Sequence, residues 1–115
     1  MEEHDEMACP QFQHAVELIG KRWTGAIVRE FFQGATRFSA VRDAIPGMTD
    51  RMLSERLKEL EAEGIVGRTV IPETPVRIEY GLTPKGRALL QALEALGQWA
   101  STWAEEKTPA GRSPA

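Results

Sequence analysis

The chain has 115 residues, 42% hydrophobic and 27% charged, with a formal net charge of −3 and one cysteine. That is the size of one globular domain with a modest core, and no apolar run is long enough to span a bilayer. The lone Cys9 excludes an internal disulfide framework and any multi-cysteine zinc site. The start, Met1 to Glu6, is acidic and lacks the basic and apolar regions of a signal peptide, so the expected location is the cytoplasm. Charge is uneven along the chain: residues 1–19 carry −5, residues 20–87 carry +3 and residues 88–115 carry −1. A mildly basic middle suits phosphate contact despite the acidic total.

Residues 1–8 read as a flexible acidic arm. A short helix is predicted over 10–19, where Pro10 suits a first turn, Phe12, Ala15, Val16, Leu18 and Ile19 give a mostly one-sided apolar face, and Gly20 stops it. A second helix fits Arg22 to Gln33, with Trp23, Ile27 and Phe31 at i, i+4 and i+8 and Gly34 after it. A third fits Ser39 to Ile45, with Phe38, Val41 and Ile45 facing inward, and Pro46-Gly47 then breaks the chain. Thr49 is a good N-cap for a fourth helix running to Glu63, and Asp50 suits its positive end.

Beyond Gly64 the period changes from helical to alternating. Val66 to Ile71 reads as a strand, and Val76, Ile78, Tyr80 and Leu82 alternate with Arg77, Glu79 and Gly81 as a half-buried second strand. Pro72-Glu-Thr-Pro75 joins them as a hairpin loop with limited freedom. Thr83-Pro84 caps a long last helix to about Ala104, and the tail over 106–115 is expected to be disordered. The fold class is therefore mainly α with a small β-hairpin: a winged helix-turn-helix domain over 9–105, with dimerisation helices at both ends.

On the fourth helix, turning Leu53, Leu57 and Leu60 inward leaves Thr49, Arg51, Ser54, Glu55 and Lys58 outward. In helix-turn-helix docking that N-terminal half enters the major groove, where an arginine can take guanine O6 and N7 in a bidentate pair. The alternative is an ordinary solvated face; the Pro-Gly break before it and the hairpin after it favour the DNA-reading one. Arg77, just past the loop, is the candidate wing contact, the alternative being a surface arginine paired with Glu79 or Glu73. Lys21, Arg22 and Arg37 lie near helix starts and are weaker candidates for phosphate contact.

On the last helix Leu89, Leu93, Leu96, Ala100 and Trp103 form an apolar seam widened by Leu90, Ala92 and Trp99. This favours pairing with a second copy over packing only on its own domain. An enzyme is disfavoured: His4 and His14 are the only histidines, and no phosphate loop, metal spacing or nucleophile–base pair is present. The rival is a winged-helix module for protein contact or small-molecule sensing. Cys9 is either a small, partly buried hydrophobe or a reactive thiol. A helix starting at Pro10 would favour its thiolate, while Glu2, Glu3, Asp5 and Glu6 would oppose it.

Taken together, Cys9-Pro10, Gly20-Lys-Arg-Trp23, Arg37-Phe38, Ile45-Pro-Gly47, Met52-Leu-Ser-Glu-Arg-Leu-Lys-Glu-Leu-Glu61, Pro72-Glu-Thr-Pro75, Glu79-Tyr80 and Leu82-Thr-Pro-Lys-Gly86 resemble the HxlR-type regulators, relatives of the MarR group. The resemblance spans residue 9 to about 104 in order. It implies a homodimeric repressor or activator on double-stranded DNA, with no cofactor. It also places Thr49, Arg51, Ser54 and Lys58 on the recognition helix and makes the loop up to Arg77 the wing. Several family members sense electrophiles or oxidants through a cysteine placed before proline near the N-terminus, as Cys9 is here. Some of these have a second cysteine in the tail. This chain has none, so a disulfide would join Cys9 to another subunit or to a small thiol.

Overall fold

The computed structural model describes residues 5–104. The tail over 106–115, expected to be disordered, and the first four residues of the arm lie outside that range. Residues 6–8, expected to be part of a flexible arm, form one 3-10 turn. The Asp5 carboxylate accepts the Met7 N–H at 3.1 Å and holds it. Helix α1 (Pro10–Ile19) follows, then α2 (Thr24–Phe32), α3 (Phe38–Ala44) and α4 (Asp50–Ala62). An antiparallel hairpin, β1 (Val66–Ile71) and β2 (Arg77–Leu82), leads to α5 (Pro84–Thr102).

Several boundaries differ from expectation by one or two residues. Helix α2 begins at Thr24 rather than Arg22, because Trp23 sits in the left-handed region at φ 80°. That conformation costs a bulky residue about 1 kcal/mol or more. It is held by Arg22, whose guanidinium stacks 4.6 Å from the Trp23 ring centroid, and by close packing of that ring on Gly47. Helix α3 starts one residue early, at Phe38, and ends at Ala44, with Ile45 in an extended conformation that starts the turn into α4. Strand β2 starts at Arg77, leaving Val76 exposed.

The core is built by Ile27, Val28 and Phe31 of α2, Val41 of α3, Leu53, Leu57 and Leu60 of α4, and Ile65, Val66 and Leu90. Leu53 and Leu60 are wholly buried, each stabilising the fold by about 2 kcal/mol. Helix α4 is therefore anchored by the leucines expected to face inward. The hairpin is tied down at its base. The Tyr80 N–H donates to the Thr36 carbonyl at 2.8 Å, and the Tyr80 ring lies 6.2 Å from Phe31. Helix–turn–helix α3–α4, a docked two-stranded hairpin and flanking helices make this a winged helix-turn-helix. Among the described residues no helix is long and apolar enough to cross a membrane.

Candidate nucleic-acid interface

Helix α4 starts where the sequence places it: the Thr49 side chain accepts the Met52 N–H at 3.1 Å, satisfying one orphan donor of the first turn. Thr49, Arg51, Ser54, Glu55 and Lys58 are all exposed on the face opposite the buried leucines. Arg51 is 89% exposed, its Nε 3.4 Å from a Glu55 carboxylate one turn on. So exposed a pair contributes little, and Arg51 is free to exchange Glu55 for a base edge or phosphate.

The helices α3 and α4 are bridged by a residue that sequence reasoning missed. Arg42 on α3 donates from Nε to Asp43 at 3.0 Å and from Nη1 to Asp50, in the first turn of α4, at 2.9 Å. The hydrogen bond from Asp43, then that from Asp50, holds the guanidinium charged well above the usual arginine range. No apolar period marks this link; an Arg eight residues before an N-terminal Asp becomes a signal only once the turn between them is known.

The other candidate cations divide. Lys21 faces the back of α4, 3.3 Å from Glu59, and so ties the loop after α1 to α4. Arg37 is exposed at the start of α3. Arg77 takes the alternative that paired it with its neighbours: its Nη2 lies 3.1 Å from Glu73 and its Nε 3.3 Å from Glu79. That Nε is buried and makes no aligned hydrogen bond. Arg77 thus enters any DNA contact already neutralised. Directly opposed residues of a hairpin share a face and faces alternate along a strand. The register of Ile71 with Arg77 and Arg68 with Tyr80 therefore puts Arg77 and Arg68 on opposite faces.

Cys9 is the N-cap of α1. Its thiol donates to the Glu6 carbonyl at 2.9 Å and its sulfur accepts the Phe12 N–H at 3.3 Å. It is partly exposed in an open depression with Glu6, Gln11 and Phe12. The same helix reaches the far end of α4, where His14 Nε2 lies 2.7 Å from a Glu63 carboxylate oxygen. Lys85 of α5 donates to the Glu63 carbonyl at 2.6 Å.

The apolar seam of α5 splits in two. Leu89 and Leu93 pack on the chain's own core, whereas Leu96, Trp99 and Trp103 are 51%, 62% and 52% exposed, with Ala100 exposed between them. Met7, Phe12 and Val16 of the N-terminal segment are exposed too, and α1 buries only Leu18. Among the described residues no cluster of histidine, cysteine and carboxylates has the arrangement to hold a metal.

The model of the HxlR-like helix-turn-helix family matches residues 18–108. YvaP of Bacillus subtilis, an uncharacterised HTH-type transcriptional regulator, is 54% identical over 95 residues, covering 83% of this chain and 88% of YvaP. The B. subtilis HTH-type transcriptional regulator YodB is 44% identical over 97 residues, covering 84% of this chain and 87% of YodB. The solved structure of reduced YodB superposes with a TM-score of 0.79 over 87% of this chain and 98% of that one. The reduced form of the redox regulator HypR, 34% identical, superposes at 0.76 over 82% of this chain and 93% of its own. YodB is also known diamide-treated and quinone-bound, and HypR in an oxidised form.

Proposed function

Because the chain belongs to the HxlR-like helix-turn-helix family, and so is a helix-turn-helix transcriptional regulator rather than an enzyme, we propose that it acts in the cytoplasm as a homodimer on a palindromic operator. The observation that carries this reading is the outward face of α4, where Thr49, Arg51, Ser54, Glu55 and Lys58 stand exposed on a helix anchored by three buried leucines. Its N-terminal half enters the major groove, and a two-fold dimer sets two such helices about 34–36 Å apart. Binding at a promoter in this way represses.

The test is a binding series on the chain's own upstream DNA over several salt concentrations. The wild type should form a specific, salt-sensitive complex. Arg51→Ala should relax base preference, by about 1–3 kcal/mol at one position, while Lys58→Ala should weaken all duplexes alike. A module for protein contact alone would form no such complex.

We propose further that Cys9 switches this binding. YodB was solved with diamide and with a quinone, and here Cys9 begins the helix that carries the exposed Phe12 and Val16 and, through His14, meets Glu63 at the end of α4. Oxidation links Cys9 to a second subunit or a small thiol; a quinone adds to the thiolate. Either change removes the thiol proton, and with it the bond donated to the Glu6 carbonyl, and the added group shifts α1, altering the spacing of the two recognition helices. Diamide or a quinone should therefore release the wild type from its operator, and Cys9→Ser should stay bound. Equal release of both proteins would end the Cys9 assignment.

A further inference from the structure

The recognition helix and the hairpin enclose an open cleft of about 310 Å³, lined by Phe38, Ser54, Leu57, Lys58, Glu61, Arg68 and Tyr80. Arg68 reaches it because of its phase in β1. It falls between Val66 and Val70 on the face that carries Tyr80, so a cation occupies the side of the strand that looks toward α4. Arg77, the cation nearest the wing tip, has the other face.

The two cations of the cleft are not neutralised. Among the described residues Lys21, Arg29, Arg42, Arg51, Arg56 and Arg77 each have a carboxylate within 4.0 Å, whereas Lys58 and Arg68, like Arg22, Arg37, Lys85 and Arg87 elsewhere on the chain, have none. Glu61, at the same cleft, lies beyond pairing distance of both. Two unpaired cations across an opening, with the Ser54 hydroxyl beside them, form a receptor for a tetrahedral oxyanion. When a recognition helix lies in one groove and a wing reaches toward the next, the sugar-phosphate strand between those grooves passes between helix and wing. Phosphate there needs no sequence match, only cations.

We propose that Lys58 and Arg68 clamp one DNA backbone phosphate in this cleft, so that the base of the wing contributes its un-neutralised charge to binding. This rests on the DNA-binding reading above and adds Arg68 to it. Because both cations hold the same phosphate, removing either one loses most of the contact.

The experiment measures affinity for operator and scrambled duplexes over a salt series with wild type, Arg68→Ala, Arg68→Lys, Lys58→Ala and the double alanine variant. Arg68→Ala should weaken both duplexes alike, about tenfold, and make the dependence of log affinity on log salt shallower by about one. Arg68→Lys keeps the charge and should keep the slope. The double variant should lose less than the product of the two single losses, because the sites are coupled through one phosphate. Arg68 is exposed, so the thermal melt of each variant should match wild type. An Arg68→Ala protein with wild-type affinity and slope overturns the clamp. So does a change in the operator-to-scrambled ratio, which would make Arg68 a base reader. A fully additive double variant overturns the shared phosphate. A wild type with no salt-sensitive complex at all overturns instead the DNA-binding reading on which the clamp is built.

Discussion

Gly86→Ala should destabilise the fold by about 3 kcal/mol, read as a lower urea midpoint with an unchanged slope. Gly86 is buried in the first turn of α5, and a Cβ there would overlap the Ile65 carbonyl oxygen and press on its carbon and side chain. The obstacle is backbone, so it cannot swing aside. Nor can α5 retreat freely. The Thr83 hydroxyl accepts the Gly86 N–H at 3.0 Å and donates to the Gly64 carbonyl, and the Thr83 N–H donates to Ile65 at 3.0 Å. Moving the helix would break this knot between α4, β1 and α5 and uncover Leu90. Gly25→Ala is the control: an added methyl meets nothing within 4 Å there, and in a helix it should gain up to about 1 kcal/mol. Equal stability of the Gly86 and Gly25 variants would show that the close approach does not exist in solution.

If the chain pairs as proposed, Trp99→Glu should turn the dimer into a monomer and lower operator affinity by about 100-fold or more, as two linked recognition helices become one. Trp99 is 62% exposed and Leu96 51% exposed beyond the point where α5 leaves its own core. Together with Trp103 and the exposed Phe12 and Val16 of α1, they are large apolar groups that a monomer would leave in water. Because Trp99 is mostly exposed and is not among the residues packed on the core, the substitution should leave the chain's own folding stability nearly unchanged. A buried carboxylate at a two-fold contact, by contrast, meets its own copy without a partner charge. Leu96→Glu should act alike. Sedimentation and operator titration check both; a variant that remains dimeric with wild-type affinity places the pairing surface elsewhere.

Local rules go far in this chain. Pro10, Thr49 and Thr83-Pro84 each mark a helix start by chemistry that acts within one turn, and all three starts are where those residues put them. The outward row on α4 follows from its leucines, since a 3.6-residue period with one buried stripe leaves no choice for the other side. The family resemblance, too, rests on motifs visible in the sequence.

What was not legible depends on distance along the chain. The start of α2 shifted because Trp23 packs on Gly47, far ahead in sequence. Arg77 and Arg68 look equivalent as strand cations, yet one is sheathed by Glu73 and Glu79 and the other stands bare beside Lys58. The signal for Arg68 was present, since it is in phase with Val66 and Val70, but a charge on an apolar phase means little until the neighbouring helix is placed.

Composition, caps and periodicity by themselves determined the elements, their order and the side of α4 that faces water, because backbone geometry and burial of one stripe act over a few residues. Only the tertiary structure decided which cations are neutralised, which half of α5 is left without a core, and that Cys9 and the end of α4 are joined through α1. Those are pair distances between remote residues, and they exist only when the core has closed.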